Sequence, residues 1–373
     1  MTYDPEARRD TPLALKLKQR IAQGGPISVE AYMHACLYDP DHGYYVKSTA
    51  IGAGGDFITA PEVSQVFGEL IGLWSAVVWQ LMGSPARVRL IELGPGRGTL
   101  MADALRAARV LPAFLSAVDV ELIETNQVLI ACQKQALGTA VVPVSWFEHL
   151  LPAPVPSIII GNEFMDTYPV GQSVLADDGW RERQVTLDVA GRLAFGTGSP
   201  NLTSTFPEVA FADEAEPAPG AILEFRRSPS IIEDIAALTR QAPIASLQID
   251  YGHQRPSFGD TLQAVRDHRF EHPLTSPGEA DLTAQVDFHD IGTRATGLGL
   301  AVDGPVTQAE FLGALGIAER TSRLMAANPH AAGSLEIGVA RLMSPTGMGG
   351  HFKAIGLRSP ALPPLPGFHL QRK

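Results

Sequence analysis

The stretch "IELGPGRGTL", residues 91–100, decides the fold because it joins an apolar strand to a helix through a glycine-rich turn. Its three glycines, Gly94, Gly96 and Gly98, permit positive φ angles and let a ligand approach the backbone closely. The N–H groups at the start of the following helix are available to an anion. The spacing G-x-G-x-G differs from the G-x-G-x-x-G pattern that is typical of dinucleotide-binding folds.

The acid beside this turn indicates the charge of the ligand. Glu92 ends the strand two residues before the first glycine. A carboxylate in that position would repel a pyrophosphate, but it suits a ligand that carries an ammonium or sulfonium group. S-adenosyl-L-methionine carries both groups, and it has a carboxylate for the helix N-terminus. The stretch therefore predicts this cofactor. The alternative is that the glycines only turn a tight corner between strand and helix.

The ends of the next two strands extend this pattern. Glu124 follows the second strand, where an acid can bind both hydroxyls of a ribose. Trp146 and Phe147 stand at the end of the third strand, and one of these rings is predicted to pack beside an adenine. The alternative for Glu124 is that it caps the helix that follows. The ordered set of glycine turn, acid and aromatic ring is more specific than any one member.

The pattern of strands and helices around these residues predicts an α/β fold. Strand-like and helix-like segments alternate over residues 87–170, which indicates a mostly parallel, Rossmann-like sheet with crossover helices. Turn signals within 171–227 predict inserted β-hairpins, and 253–300 is predicted to be a second insertion, either a long loop or a small subdomain. We therefore predict an N-terminal helical region at 1–83 and an α/β domain at 84–373.

The stretch "PSIIIGNEFMDTYPV", residues 156–170, places polar groups at the mouth of a buried strand. Asn162, Glu163 and Asp166 follow three isoleucines, where desolvating a charge is costly. Ligands of open α/β sheets bind at the carboxyl ends of the parallel strands. We therefore expect these three side chains to line the place where a methyl group is delivered.

Composition and charge exclude several classes of protein. The net charge of −11 argues against general nucleic-acid binding, which needs a basic surface. The two cysteines, Cys36 and Cys132, suit a reducing cytosol. We find no signal peptide, no apolar run near the roughly 20 residues of a membrane span, and no metal-ligand spacing. The sequence predicts a cytoplasmic protein without a metal, nucleic acid or membrane insertion.

Several longer blocks resemble the MidA-like family of S-adenosylmethionine-dependent methyltransferases. The blocks are "ELGPGRGTL", "NEFMDTYPV", "DPDHGYYVKSTAIGAGGDFITAPEVSQVFGE" at 39–69, "IDYG" at 249–252 and "DLTAQVDF" at 281–288. The resemblance implies a class I methyltransferase fold with an added helical region and an insertion. The family includes a mitochondrial assembly factor that methylates a subunit of respiratory complex I. The resemblance therefore implies symmetric dimethylation of arginine in a subunit of a respiratory NADH dehydrogenase.

Position by position, the resemblance assigns roles to two groups of residues. The residues that match the cofactor motif are Glu92, Gly94 and Gly96. Those that match the motif after the fourth strand are Asn162, Glu163 and Asp166. This chain has Gln285 where the family commonly has a histidine, which casts doubt on any essential proton transfer at that position.

The residues after the fourth strand suit a cationic acceptor. An arginine guanidinium has a pKa of roughly 12.5 to 13.8, so it arrives charged and is a poor nucleophile. Carboxylates can hold it bidentately and aim one nitrogen, and we assign this clamp first to Glu163 and second to Asp166. The alternative is that Asp166 caps a turn before Pro169 while Glu163 pairs with a nearby arginine.

The glycine-rich loop within residues 46–61 is predicted to be a lid over the cofactor. Its glycines would serve as the hinge, and Phe57 would cover the sulfonium through a cation–π contact. The alternative is an ordinary surface loop. This loop and the hairpin insertion are also candidate surfaces for a homodimer.

The leading hypothesis is a protein arginine methyltransferase, and three others stay open. The acceptor could instead be an amide or a small molecule. The protein could be a cofactor-binding chaperone of complex I assembly with little turnover. A dehydrogenase is the remaining hypothesis, although the glycine spacing and Glu92 disagree with it.

Overall fold

The computed structural model describes residues 3–47, 58–200, 217–226 and 231–368. Within these ranges the helices are α1 Pro12–Gly24, α2 Val29–Tyr38, α3 Tyr44–Lys47, α4 Ala60–Val63, α5 Gln65–Leu81, α6 Thr99–Ala107, α7 Pro112–Ala117, α8 Gln127–Ala136, α9 Ile231–Leu238, α10 Phe288–Gly297, α11 Gln308–Ala314, α12 Ile317–Ala327, α13 Ala332–Met343 and α14 Met348–His351. Short 3₁₀ turns lie at Ala108–Val110, Met165–Thr167 and Pro329–Ala331.

The strands in the same ranges are β1 Ile27–Ser28, β2 Val88–Leu93, β3 Val118–Ile123, β4 Val144–Phe147, β5 Ser157–Asn162, β6 Gly171–Ala176, β7 Gly179–Leu187, β8 Leu193–Pro200, β9 Ile222–Phe225, β10 Ile244–His253, β11 Gln263–Arg266, β12 Arg269–Glu271, β13 Asp281–Thr283, β14 Val286–Asp287, β15 Ala301–Thr307 and β16 Phe352–Arg358.

The central sheet has the strand order β15-β16-β10-β5-β2-β3-β4, with β14 beside the end of β10. Strands β2, β3, β4, β5 and β10 run parallel to their neighbours among these five, and β16 lies antiparallel between β10 and β15. Ile158, Ile159 and Ile160 of β5 are fully buried, as expected for a strand covered on both faces. The prediction of an α/β fold with a mostly parallel sheet is confirmed.

Helix α5 lies very close to α6 because glycines stand at their interface. A Cβ atom on Gly72 would be 2.3 Å from the carbonyl oxygen of Ala104, and one on Gly68 would be 2.8 Å from the Cβ of Asp103. Small residues one turn apart let two helices pack closer together than usual. The close packing holds α4 and the start of α5 against α6, next to the glycine turn that follows β2.

The N-terminal helices divide between two hydrophobic cores. Helix α5 packs on the central sheet, whereas Leu17 of α1 and Met33 of α2 share a separate core with Val185 of β7. Strand β1 continues this arrangement, since Ile27 pairs antiparallel with Val185. The first helices therefore belong with the inserted strands, whose sheet has the order β1-β7-β6-β9 with β8 beside β7.

The two predicted insertions differ in how much of their structure the sequence revealed. Antiparallel strands β6 to β9 lie within 171–227, where turn residues predicted hairpins. The segment 253–300 contains the small sheet β12-β11-β13, but also α10, which the sequence analysis missed. Asp287 caps α10 by accepting hydrogen bonds from the backbone N–H groups of His289 and Asp290. Four weak helix formers obscure its pattern: Gly292, Thr293, Thr296 and Gly297.

The predicted lid lies largely beyond what the structure describes. Residues 48–57, including Phe57, are outside the described ranges. Within the described ranges, no helix is both long enough and apolar enough to cross a bilayer.

Candidate active site

A cavity of about 1030 Å³ opens at the carboxyl ends of β2, β3, β5 and β10. It brings together most of the residues that the sequence analysis proposed for the site, namely Glu92, Gly94, Gly96, Glu124, Asn162, Glu163 and Asp166. Three others do not line it: Gly98, Trp146 and Phe147. The glycine turn and the acids after β5 thus face one common space, although about 70 residues separate them in sequence.

The glycine turn uses backbone conformations that favour glycine. Gly94, Gly96 and Gly98 have φ angles of 57°, 53° and 83°. A Cβ atom on Gly94 would stand 2.8 Å from the ring of Phe164, so a side chain there would collide with the segment that follows β5. Gly98 is the N-cap of α6 and packs against Gln133, which explains why it lies behind the cavity wall. Its role is in the turn.

Glu92 presents a buried carboxylate to the cavity. The residue is 3% exposed, and within the described ranges its Oε2 atom has no hydrogen-bond partner. Burial raises the pKa of Glu92 to about 8, because removing the ionised form from water is unfavourable. A cationic group bound in the cavity would offset this cost, and the ammonium of S-adenosylmethionine fits that requirement.

Glu124 lines the cavity and also takes part in the turn that follows β3. Its Oε1 atom accepts hydrogen bonds from the backbone N–H groups of Thr125 and Asn126, at 2.8 and 2.9 Å. Its Oε2 atom accepts one from the side chain of Gln133 at 3.2 Å. The side chain therefore fixes the turn before α8, whose N-cap is Asn126, and also lines the cavity.

Trp146 and Phe147 are placed differently from the prediction. The Trp146 indole N–H donates to Gln133 Oε1 at 2.9 Å, and the ammonium of Lys134 lies 5.3 Å from the ring centroid. Trp146 therefore packs on α8 instead of lining the cavity. The residues after β4 that do line it are Glu148 and His149. The prediction assumed that the aromatic residue at the strand end faces the ligand, but β4 ends one residue before the chain enters the cavity wall.

Glu163 has an unusual backbone and a well-defined hydrogen-bond environment. Its φ angle is 52°, which is rare for a residue with a side chain and occurs directly after β5. Its Oε1 atom accepts from the backbone N–H of Ala60 at 2.9 Å and from the Asn162 amide at 3.2 Å. Removal from water, reinforced by the charge of Asp166, raises the pKa of Glu163 to about 7 although the Ala60 hydrogen bond opposes the rise.

Asp166 is held in place by a second buried acid, Asp250. Asp250 Oδ2 accepts hydrogen bonds from the backbone N–H groups of Met165 and Asp166, at 2.9 and 3.1 Å. Asp166 is 6% exposed, and its Oδ1 atom has no partner in the part of the chain that the structure describes. Burial raises the pKa of Asp166, although a hydrogen bond with Tyr251 favours its ionised form. Burial and the charges of Asp166 and Glu163 raise the pKa of Asp250.

The observed contacts bear on the alternative interpretation of this pair. Within the turn at Met165–Thr167, the backbone N–H groups of Met165 and Asp166 bond to Asp250 of β10. A backbone hydrogen bond of Thr167 to Asp166 favours the ionised form of the Asp166 carboxyl, as expected for an acid that caps this turn. Glu163 Oε1 bonds to a backbone N–H and an amide instead of to a guanidinium. The carboxylates of Glu163 and Asp166 thus line the same cavity. Within the described ranges, no arginine forms a hydrogen bond with either of them.

Sequence reasoning missed several residues of the cavity wall. Glu62 of α4 has an unpartnered Oε2 atom within the described ranges, and its Oε1 atom lies 4.0 Å from the guanidinium of Arg97. Tyr38, Tyr45 and Asp281 also line the cavity. No local pattern marks Glu62 as a residue of the cavity wall, and nothing in the spacing of the tyrosines brings them to β13.

Gln285, which departs from the family pattern, lies away from this wall. Its side chain is exposed and does not line the cavity, and its backbone N–H donates to Thr261 Oγ1 at 2.9 Å. Throughout the four described ranges, no group of three or more histidine, cysteine, aspartate or glutamate side chains could hold a metal ion.

Comparisons with known proteins were made on the sequence and on the fold. Residues 70–306 match a family described as S-adenosyl-L-methionine-dependent methyltransferases. The human protein arginine methyltransferase NDUFAF7, mitochondrial, is 35% identical over 387 residues, covering 95% of this chain and 85% of its own length. The zebrafish (Danio rerio) protein of the same name is 34% identical over 363 residues, covering 90% and 84%.

Two solved structures share the fold over nearly their whole length. A protein from Burkholderia thailandensis, crystallised with S-adenosyl-homocysteine and described as a methyl transferase, is 26% identical with a TM-score of 0.84, covering 97% of this chain and 98% of its own. A native crystal structure from the same organism is 27% identical with a TM-score of 0.81 and the same coverage. The arrangement of strands and the cavity at their carboxyl ends are therefore those of a class I methyltransferase.

Proposed function

Because this chain belongs to the family of S-adenosyl-L-methionine-dependent methyltransferases, we propose that it transfers methyl groups to arginine side chains of a protein. The observation that carries the proposal is the pair of carboxylates, Glu163 and Asp166, at the end of β5 in the same cavity as the glycine turn. A guanidinium supplies both the positive charge and the hydrogen bonds that such a buried pair requires.

The named relatives support arginine as the acceptor. Proteins called protein arginine methyltransferase match this chain at 34–35% identity, in vertebrates and in Drosophila melanogaster. The stretch that contains Asn162, Glu163 and Asp166 is one of the blocks that carry the resemblance to the MidA-like family. The acceptor chemistry and the sequence relationship therefore agree.

The residues around the glycine turn suit S-adenosylmethionine. Glu92 would hold the ammonium, since its buried Oε2 atom offers an acceptor without a partner in the described ranges. The backbone of Gly94 and Gly96 would receive the carboxylate near the N-terminus of α6, and Glu124 would bind the ribose hydroxyls. The bound cofactor supplies an electrophilic methyl group on a sulfonium sulfur.

The two carboxylates would orient the acceptor. Glu163 and Asp166 hold a guanidinium through charge-assisted hydrogen bonds and aim one terminal nitrogen along the line of displacement. Asn162 contributes by donating to Glu163 Oε1, which limits the positions that the carboxylate can adopt. The entering cation also relieves the repulsion between the acids, so binding and orientation are coupled.

Glu163 would also receive the proton that leaves the attacked nitrogen. A carboxyl group whose pKa is raised to about 7 is a better proton acceptor than an exposed glutamate. Proton loss is required because the guanidinium nitrogen forms its new bond to carbon while remaining in a singly charged product. Gln285 takes no part in this scheme, since it does not line the cavity.

The protein substrate that we propose is a subunit of a respiratory NADH dehydrogenase, which follows from the resemblance to the MidA-like family alone. We place the reaction in the cytoplasm, because both cysteines, Cys36 and Cys132, are free thiols, as expected in a reducing compartment. The mammalian, fish, frog and fly relatives are named as mitochondrial proteins, so the compartment is a point to be tested. A homodimer through the hairpin insertion is an accompanying proposal.

The proposal is tested by measuring methylarginine in cells. NADH dehydrogenase is purified from cells with the gene, without it, and with either Glu163→Gln or Glu336→Gln, and its subunits are analysed by mass spectrometry. Glu336 is an exposed acid on α13 outside the cavity wall and serves as the control. We expect dimethylarginine with the wild-type chain and with Glu336→Gln, and its loss in the other two strains. Cell fractionation of the same strains locates the protein.

Unchanged methylarginine in the strain without the gene would contradict the proposal. Methylation that depends on the gene but survives Glu163→Gln would contradict the clamp while leaving the activity in place. A small-molecule acceptor would show itself as gene-dependent methylation of a metabolite without any change in protein. Assembly that depends on the gene but not on methylation would favour the chaperone hypothesis.

A further inference from the structure

One half of the cavity is not needed to explain cofactor binding. The glycine turn and Glu124 stand at the ends of β2 and β3, and helix α2 and strand β13 also contribute to the wall. The total volume of about 1030 Å³ is at the upper end of the range that encloses one drug-sized ligand. The cavity therefore has room for a second group beside the cofactor.

Helix α2 presents one consistent face to this second half. Its residues on the cavity wall are spaced four apart, as on one side of a helix: Glu30, His34 and Tyr38, with Ala31 and Ala35 beside them. Its other face, which includes Tyr32, Met33 and Leu37, is buried in the core that α2 shares with the inserted strands. The helix is thus anchored from behind and exposes a strip of small and aromatic side chains.

The aromatic rings form a continuous path from the surface inward. The centroids of His34 and Tyr38 are 5.5 Å apart, and those of Tyr38 and Tyr45 are 5.8 Å apart. Tyr38 is 37% exposed, yet its hydroxyl donates to the carbonyl oxygen of Thr167 at 3.0 Å. The Tyr45 hydroxyl donates to Asp281 Oδ1 at 2.9 Å. Both rings are therefore fixed by hydrogen bonds of their hydroxyl groups, and both line the cavity.

The path ends at buried carboxylates. Thr167, which accepts the Tyr38 hydrogen bond, is the residue after Asp166. The Tyr45 hydroxyl bonds to Asp281, and Tyr45, Asp281 and Asp166 all line the cavity. Burial and the negative charges of these two acids raise the pKa of Tyr45 well above its ordinary value. Asp166 is only 6% exposed, and its Oδ1 atom has no hydrogen-bond partner in the described part of the chain. Asp166 also lines the cavity, so a cationic group bound there would offset the cost of this unpartnered acceptor.

We infer that this strip, which we define as Ala31, His34, Ala35, Tyr38 and Tyr45 and call the α2 wall, receives the substrate protein as an extended segment with its arginine directed inward. The arginine stem packs on Tyr38 and Tyr45, and the guanidinium reaches Asp166. Ala31 and Ala35 leave space for the flanking backbone of the segment. The inference rests on the proposed arginine methyltransferase function.

The chemistry of the wall selects among side chains. An anionic side chain would be repelled by Asp166 and Asp281, and a neutral one would leave Asp166 Oδ1 without charge compensation. A planar guanidinium can stack on the tyrosine rings and still bond to a carboxylate through its edge, which a compact ammonium cannot do. The wall also reaches the surface at His34 and Tyr38, so a long chain can continue past it.

The test compares variants in the rate of methyl transfer to protein. Purified wild-type protein and variants are incubated with tritiated S-adenosylmethionine and an extract of cells that lack the gene, and the label in protein-bound methylarginine is followed over time. The variants are Tyr38→Ala, Tyr38→Phe, Ala35→Gln and Phe270→Ala. Phe270 is an exposed aromatic residue on β12 outside the cavity wall, and it controls for loss of a surface ring. The Kd for S-adenosylhomocysteine is measured for each.

We expect Tyr38→Ala and Ala35→Gln to slow labelling about tenfold with an unchanged Kd for S-adenosylhomocysteine. Tyr38→Phe keeps the ring but loses the hydrogen bond to Thr167, so its rate should lie between those of the wild type and Tyr38→Ala. Phe270→Ala should keep the wild-type rate. Wild-type rates for both Tyr38→Ala and Ala35→Gln would overturn the α2 wall and leave the proposed function intact. If the wild-type protein labels no arginine in protein, the proposed function fails and the α2 wall fails with it.

Discussion

At the scale of single residues, Glu92 shows how the free protein sustains a cost that the cofactor can relieve. The carboxyl group has an ordinary pKa of 4.5, and burial raises its pKa in the folded state to about 8. Between these values the folded state binds a proton that the unfolded state has lost, so the free energy of unfolding falls as the pH rises from 4.5 to 8. The cost of ionising Glu92 is therefore absent below pH 4.5 and fully developed only above pH 8.

The first prediction concerns Glu92→Gln. The amide cannot ionise, so the free variant should lose less stability than the wild type between pH 5 and pH 8, because the carboxyl group that titrates near 8 is gone. It should also bind S-adenosylhomocysteine roughly 10- to 100-fold more weakly, because a charged hydrogen bond is replaced by a neutral one. Thermal unfolding at several pH values and calorimetric titration measure the two effects. Identical pH profiles for the two proteins would disprove this role of Glu92.

The second prediction is a pH dependence that Glu163 sets. The ionised carboxylate binds the guanidinium, so kcat/KM should rise about tenfold per pH unit between pH 6 and 7 and level off above pH 7. Below pH 6 the rise should be steeper, because Asp166, whose pKa is raised to about 6, then also has to lose its proton. Substrate arginine stays protonated throughout this range, so it does not contribute to the rise. Initial rates at subsaturating protein substrate give the profile. The smaller residual activity of Glu163→Gln should lack the inflection near pH 7, and an inflection that persists in this variant would assign it to another group.

Single residues also show the limits of prediction from sequence. Glu92, Glu163 and Asp166 could be chosen because charged groups next to apolar strands stand out in the sequence. The hydrogen bond from Ala60 N–H to Glu163 joins residues 103 positions apart, and no local pattern encodes it. Trp146 was misplaced because its type suggested an adenine contact, whereas its indole N–H is satisfied by Gln133 on α8.

At the scale of elements, the turn after β5 is set by the neighbouring strand β10. Its carboxylate, Asp250, is 1% exposed and accepts two backbone N–H groups of the turn that carries Asp166. A third N–H, of Tyr251, donates to Asp250 Oδ1 at 2.9 Å. Both carboxylate oxygens of Asp250 therefore have to act as hydrogen-bond acceptors.

The third prediction follows for Asp250→Asn. The amide nitrogen of asparagine must face at least one backbone N–H, so the turn should shift and misplace Asp166. We expect kcat to fall about 100-fold, as for a displacement of roughly 1 Å at a reacting centre, while the Kd for S-adenosylhomocysteine stays near the wild-type value. Steady-state kinetics and calorimetric titration test this. Full activity in the variant would show that the turn does not depend on Asp250.

The fourth prediction concerns the packing of α5 on α6. In Gly72→Ala the new methyl group would meet the Ala104 carbonyl oxygen at 2.3 Å, so one helix must move. We expect the free energy of unfolding to fall by roughly 1–3 kcal/mol, measured by denaturant titration. The control is Gly297→Ala, where a Cβ atom would meet nothing within 4 Å and stability should be unchanged or higher. Equal stability of the two variants would contradict the close packing.

Strands and helices differ in how clearly they can be predicted from the sequence. Strand β5 could be predicted because three consecutive isoleucines match a strand buried on both faces. Helix α10 could not, because glycines and threonines weaken its periodic pattern and its stability comes from packing, with Phe288 and Ala295 fully buried. The pairing of β1 with β7 was also hidden, since two strand residues carry too little pattern.

At the scale of the whole molecule, the cavity lies between parts of the chain that belong to different cores. The central sheet supplies the glycine turn and the acids after β5, while α2 comes from the core that contains the inserted strands. The sequence predicted the α/β class because strands and helices alternate along the chain. It could not predict that α1 and α2 join the insertion, since that depends on contacts between residues 27 and 185.

The identity of the labelled amino acid tests the account most directly. The protein is incubated with tritiated S-adenosylmethionine and an extract of cells that lack it, and the labelled protein bands are hydrolysed and separated into amino acids. We expect the tritium to appear in methylated arginine, in one protein band, and Glu163→Gln to remove nearly all of it. Label confined to small molecules or to another amino acid would contradict it, as would bound S-adenosylhomocysteine without any transfer to protein.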